Sequence, residues 1–311
     1  MPLPPINVSS KLWFAHRHKA AGHSVAAELN DIVAGGCASL TCCTTQHAEL
    51  AQLSEWWLSP EPTIAAYPAL RGKHAGSTTC LTNEDELLPL LWHLNASRPN
   101  GARHPPAIVT MFRHPASRCR SHWAHMRDVC VAAQRSPRVA WLQSHINGGA
   151  NAGRCELYPP TREGGRRFAE TFCRHSFIGD WESHGIPSPQ AAYGWMTSHV
   201  AFWGLLEHYT SSLCLLWAQV GLRERLAECS CAESNASSAG HHLGFVSGRF
   251  SRGVPSSLNL TDEEIVHPPD LALYRLLEKG LEERVREAEQ STGLKLWCGE
   301  RETLRSAALH R

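Results

Sequence analysis

Two short stretches gather residue types that bind anions. The first reads His16-Arg17-His18-Lys19-Ala20-Ala21-Gly22-His23-Ser24. A helix starting near Ser24 would present unpaired N–H groups and the positive end of its dipole. Gly22 lets the backbone approach a ligand closely, and Lys19 adds a point charge. Together they describe a phosphate or sulfate cradle. No Gly-Lys-Ser/Thr follows the glycine, so this is not a Walker A loop. The same residues also read as a basic turn ahead of an amphipathic helix. The second stretch reads Arg113-His114-Pro115-Ala116-Ser117-Arg118-Cys119-Arg120-Ser121-His122-Trp123. Arg113 ends an apolar run, and Pro115 suits the first position of a helix. Ser121 then falls about two turns in, three residues beyond Arg118 and on its face. An arginine at a strand end, a helix N-terminus and a hydroxyl make a second anion site. A basic helix with solvated arginines is the plainer reading.

Three strand-loop-helix units would position these residues. Leu12-Trp13-Phe14-Ala15 is a short strand before the first stretch. Val25, Leu29, Ile32 and Val33 form one apolar stripe on the helix after it, which Gly35-Gly36 ends. Ala107-Ile108-Val109-Thr110-Met111-Phe112 suits a buried parallel strand before the second stretch. Phe202-Trp203-Gly204 leads into a helix through Leu213, Leu216 and Val220 that stops at Gly221. Asn83 and Glu86 form a capping signature before a helix over Leu87 to Leu94. Asp270 is placed to cap a last helix through Leu273, Leu277 and Val285. Strands alternating with helices predict an α/β fold: a three-layer parallel sheet with helices on both faces. Ligands of such sheets bind at the carboxyl ends of strands.

The 311 residues suit one domain, 1–311, with large surface loops at 148–165 and 234–257. Hydrophobic residues make up 42% and charged residues 19%, which excludes a disordered chain. Thirty lysines and arginines against 29 aspartates and glutamates give a net charge of +1, so the expectation is no nucleic-acid partner and only local anion sites. Histidine is abundant at 19 and cysteine at 12. His16/His18, His122/His125, His241/His242 and Cys229/Cys231 are close pairs. None matches a zinc spacing, so no metal is expected.

Four Asn-x-Ser/Thr sequons, at Asn7, Asn95, Asn235 and Asn259, point to a secretory lumen. Twelve cysteines would allow six disulfides in that compartment. Buried thiols in a reducing cytosol are the alternative. No basic-then-apolar leader opens the chain, and no stretch has the run of about 18 apolar residues needed to span a membrane. A luminal protein would therefore be a catalytic domain whose membrane anchor is absent from this chain. Taken as complete, the chain would be cytoplasmic.

The second stretch, Arg-x-Pro-x-x-Arg-x-x-Ser-x-Trp after an apolar strand, resembles the 3′-phosphate-binding motif of sulfotransferases that use 3′-phosphoadenosine 5′-phosphosulfate (PAPS). His18 to Ser24 resembles their 5′-phosphosulfate loop. Phe202 to Tyr209 with Ser212 to Leu216, and Asp270 to Tyr274, resemble two later segments, in the family's order. The similarity extends over roughly Leu12 to Val285 and is greatest to Golgi carbohydrate sulfotransferases of heparan-sulfate and galactose types. Ala20 and His23 stand where two threonines are usual. Either a ring nitrogen of His23 donates in place of a hydroxyl, or the loop binds more weakly.

The resemblance implies a P-loop NTPase-like sulfotransferase fold, a PAPS donor, a spent product 3′-phosphoadenosine 5′-phosphate (PAP), a carbohydrate acceptor and no metal. It makes Lys19 the residue that stabilises the bridging oxygen. Backbone N–H groups around Ala21, Gly22, His23, Ser24 and Val25 would hold the 5′-phosphate. Arg113 and Ser121 would hold the 3′-phosphate. The acceptor also needs a general base. His74, in a glycine-flanked segment, is favoured over His93 and His104. Glu207 reads as a cap for the helix after it more readily than as a catalytic group. Arg249 and Arg252 are placed to face the donor or an acidic glycan. A P-loop-like kinase and a non-catalytic glycan-binding protein on the same fold are the competing readings.

Overall fold

A computed structural model describes residues 6, 12–15, 29, 37–40, 70–71, 80–83, 107–135, 159–173, 181, 185–226, 229 and 258–297. Six strands form one sheet: β1 (Leu12–Ala15), β2 (Cys37–Leu40), β3 (Leu70–Arg71), β4 (Cys80–Asn83), β5 (Ala107–Phe112) and β6 (Phe202–Leu205). Their order is β3-β2-β4-β1-β5-β6, parallel except for β3. The described helices are α1 (Pro115–Arg135), α2 (Arg162–Phe172), α3 (Pro189–His199), α4 (Tyr209–Val220), α5 (Arg223–Leu226), α6 (Asp262–Ile265) and α7 (Pro268–Thr292). A parallel sheet with helices is the α/β class expected from the alternating apolar runs.

Ile108 to Phe112 are all buried, as are Phe202 to Leu205. Successive side chains of a strand point to opposite faces, so β5 and β6 are covered on both. One apolar group joins β1, β5 and β6 to α3, α4 and α7 through Phe14, Met111, Trp203, Met196, Leu216 and Leu277. A second joins α1 to α2 and residues 258–265 through Trp123, Phe168 and Leu260.

Local chemistry explains several boundaries. Pro115 starts α1, and Gly221 ends α4 in a left-handed conformation at φ 79°. The expected cap of the last helix is displaced. Pro268 and Pro269 carry the fixed φ that starts α7, so His267 takes the cap position and Asp270 lies buried in the first turn. The loop expected over 148–165 ends early. The Thr161 hydroxyl accepts from the Gly164 N–H at 3.1 Å and opens α2 at Arg162. Gly164 and Gly165 serve close packing there: added Cβ atoms would stand 2.1 Å from the Pro159 carbonyl oxygen and 2.8 Å from Leu258.

Cys119 of α1 is bonded to Cys173 just after α2, and Cys214 to Cys229. No cysteine side chain among the described residues is free. Disulfides persist in oxidising compartments, which suggests a secretory-type environment. Asn259, in one of the sequons, is exposed. No helix among the described residues is long and apolar enough to cross a membrane.

Ser212 joins the end of β6 to α4, accepting from the Leu205 N–H at 2.9 Å and donating to the Leu205 carbonyl at 3.1 Å. A Cβ on Gly204 would stand 2.6 Å from Met111 Sδ and 2.7 Å from Ser212 Cβ. Gly204→Ala should therefore cost about 1–3 kcal/mol by overpacking, read as a lower urea midpoint. Reduction should also destabilise the fold. The Cys119–Cys173 bridge closes a separation of 54 residues, and its loss should cost about 3–5 kcal/mol in the chain-entropy account, measured by denaturation with and without reductant.

Candidate functional site

The carboxyl ends of β1, β5 and β6 lie side by side. Phe14 is level with Val109, and Phe112 with Leu205. Neighbouring strands are about 5 Å apart. The chain leaving β1 at Ala15 and the chain leaving β5 at Phe112 therefore leave neighbouring strands toward the same edge, β5 running two residues further. The two stretches expected to bind anions follow these two strands. Glu207 leaves the same edge from β6, in a single 3₁₀ turn over Leu206–His208.

Arg113 follows β5 directly and is 9% exposed. Burial lowers its pKa, and the Glu207 carboxylate opposes that shift. The guanidinium starts so high that it keeps its charge. His114 comes next, and its backbone N–H lies 3.0 Å from each Glu207 carboxylate oxygen. Tyr274 of α7 donates its hydroxyl to Glu207 Oε2 at 3.1 Å, and its ring meets the His114 ring edge-on at 5.0 Å. Burial, and then the charges of Glu207 and Glu278, push the Tyr274 hydroxyl far above its ordinary range. It therefore stays protonated and acts as a donor. Helix α1 carries no acidic residue in its first turn. A buried arginine beside that helix end is suited to an anion, and the Glu207 carboxylate is the acidic group that meets the helix start.

Of the expected site residues, Arg113 stands at this edge, and half-buried Ser121 lies in the second turn of α1. Lys19, Ala21, Gly22, His23, Ser24, Val25, His74, His93, His104, Arg249 and Arg252 lie outside the described residues. The strands bracketing His74 are described. β3 runs antiparallel to β2 with Arg71 level with Ser39, near the carboxyl end of β2, and Cys80 enters β4 level with Cys37 at the amino end.

Arg118 differs from expectation. It is 4% exposed and donates to the Phe172 carbonyl at 2.9 Å, closing the end of α2 rather than sharing a ligand face with Ser121. Arg120 donates to the Leu260 carbonyl at 3.2 Å and pairs with Asp262. Trp123 packs edge-on against Phe168 at 5.1 Å. The second stretch thus divides: Arg113 belongs to the sheet edge, while Arg118, Arg120 and Trp123 anchor α1 to α2 and α6. Glu207 does not cap α4, the structural part expected of it. That helix has no side-chain cap, and the carboxylate reaches the start of α1 instead.

His114, Tyr274, His208 and Glu278 are members of this cluster that pattern reasoning did not single out as a site. One signal was present, because Tyr274 and Glu278 are four apart and share a face of α7. His208 Nε2 lies 3.3 Å from Glu278 Oε1, and its ring stacks on Trp297 at 4.6 Å. Glu289 accepts the N–H groups of Leu296 and Trp297 at 2.7 and 2.8 Å and so holds that tryptophan in place. Among the described residues, no group of His, Cys, Asp and Glu is arranged to hold a metal.

Compared with protein-family models and with characterised proteins, the chain matches none.

The hydrogen bond to His208 holds the Glu278 carboxyl below its ordinary value, with the His208, His114 and Arg275 charges acting the same way and burial opposing. A carboxyl depressed in the folded state stabilises the fold above its ordinary pKa, and loses that effect as pH falls through the folded value. Glu278→Gln should therefore lower the melting temperature at pH 7. The gap to wild type should narrow below about pH 4, in melts across a pH series.

Proposed function

We propose that this protein is a PAPS-dependent O-sulfotransferase acting on a hydroxyl of a carbohydrate in the Golgi lumen, on a P-loop NTPase-like sulfotransferase fold. The observation that carries the reading is the parallel pairing of β1 with β5. It sends the two stretches read as anion-binding off neighbouring strands toward one sheet edge, and a donor with phosphates on both the 3′ and the 5′ oxygens of its ribose needs two such sites. Burial of β5 and β6 on both faces supports the three-layer arrangement, and the disulfides support the lumen.

In this reading Arg113 and Ser121 hold the 3′-phosphate of the donor. The backbone around Ala21 to Val25 holds the 5′-phosphate. The acceptor oxygen attacks sulfur in line while a histidine, His74 being the candidate, takes its proton. The bond between sulfur and the bridging oxygen breaks, and PAP leaves with that electron pair. Lys19 balances the charge growing on the bridging oxygen. Positioning and electrostatics supply the rate, as in phosphoryl transfer. Arg113 suits its part because a charged fork in a nearly dry setting binds phosphate strongly and bidentately.

Calorimetric titration with PAP tests the proposal, with ATP and AMP as controls. PAP should bind in preference to both. Arg113→Ala should weaken PAP by about 100-fold, the loss of two charge-assisted hydrogen bonds, and leave AMP nearly unchanged. Equal binding of ATP would favour a kinase. PAP binding without sulfate transfer to any glycan would favour a glycan-binding protein. A folded protein that binds no PAP would overturn the reading.

A further inference from the structure

Glu207 lies on neither anion-binding stretch, yet it governs the turn that carries Arg113. Both of its oxygens face the N–H of His114 at 3.0 Å. That N–H belongs to the peptide unit joining Arg113 to His114. A peptide unit is planar, so holding its N–H fixes the ψ angle of Arg113. The next constraint acts from the helix side, where the Arg118 N–H donates to the His114 carbonyl at 2.8 Å. His114 is thus clamped at both ends. Arg113 is held between the last residue of β5 and a peptide plane that Glu207 sets.

The carboxylate is itself held. Tyr274 donates to it at 3.1 Å, and the Tyr274 ring packs against the His114 ring. Ser212 fixes the end of β6, two residues before Glu207, through both backbone groups of Leu205. The acceptor is therefore anchored by β6, α4 and α7, none of which carries a proposed ligand-binding residue. The His114 N–H and the Tyr274 hydroxyl tie the carboxylate to the start of α1 and to α7.

We infer that Glu207 is a positioning residue of the donor site: through the His114 N–H it sets the direction in which Arg113 meets the 3′-phosphate, and Tyr274 holds Glu207 to that task. The inference rests on the sulfotransferase reading for the identity of the anion, but the geometry it names does not. Glu207→Gln tests it, because glutamine keeps the size, loses the charge and turns one acceptor into an N–H₂ donor facing another donor. Tyr274→Phe removes only the bond that steadies the carboxylate.

Two readings on each variant separate positioning from general destabilisation. The first is the ratio of PAP to AMP affinity by calorimetry, and the second is hydrogen exchange over residues 109–117 by mass spectrometry. Glu207→Gln should weaken PAP by at least about tenfold, the worth of one hydrogen bond to a charged group, with AMP changed less than about twofold. Exchange over 109–117 should speed up while the rest of α7 keeps its protection. Tyr274→Phe should move both readings the same way by less. Equal losses of PAP and AMP, or unchanged exchange over 109–117, would overturn the inference. If wild type binds no PAP, the donor reading fails by itself. Faster local exchange in Glu207→Gln would then still support Glu207 as the residue that sets Arg113, and unchanged exchange would overturn that too.

Discussion

Strand β5 is the constraint on which the rest depends. It is hydrogen-bonded to β1 on one side and to β6 on the other, and it is buried on both faces. A strand tied in all four directions cannot slide, since a one-residue slip would exchange its two faces and expose half of an apolar run. The residue after Phe112 therefore leaves the sheet at a fixed point and in a fixed direction. That residue is Arg113. Its position is a consequence of packing.

A buried charge beside a helix end needs compensation. Arg113 loses hydration through burial, and Glu207 supplies the opposing charge from a strand that is adjacent in space. The carboxylate accepts from a backbone N–H and a tyrosine hydroxyl. An arrangement of this kind keeps an arginine charged while leaving its countercharge tied to the scaffold. It differs from the surface ion pairs of α2 and α7, such as Arg167 with Glu163, which are solvated on both sides and contribute little.

Arg284 shows the same physics with a structural outcome. Its pKa is lowered to about 10 by burial, it lies over the Trp203 ring at 4.9 Å, and it donates to Gln219 at 2.9 Å. Aromatic faces and an amide satisfy it, so it holds α7 to β6 and α4. Arg113, by contrast, follows the last residue of a strand at the carboxyl edge of the sheet.

Local rules made much of this legible. The apolar run Ala107–Phe112 read as a buried strand, Pro115 as a helix start and Gly221 as a helix stop, because burial period, fixed φ and left-handed φ act within a few residues. Fold class followed from the alternation of such segments. The same rules misjudged Gly164 and Gly165 as loop glycines, since their purpose is to admit Pro159 and Leu258, which only packing brings near. They set Arg118 on one helix face with Ser121, but not beside its partner, a carbonyl 54 residues away. Glu207 was visible as an acidic residue at a strand end, but its bond to His114, 93 residues earlier, was not. Spacing along a chain records what neighbours do to each other; which strand lies beside which, and so which carboxylate meets which turn, is decided by the sheet.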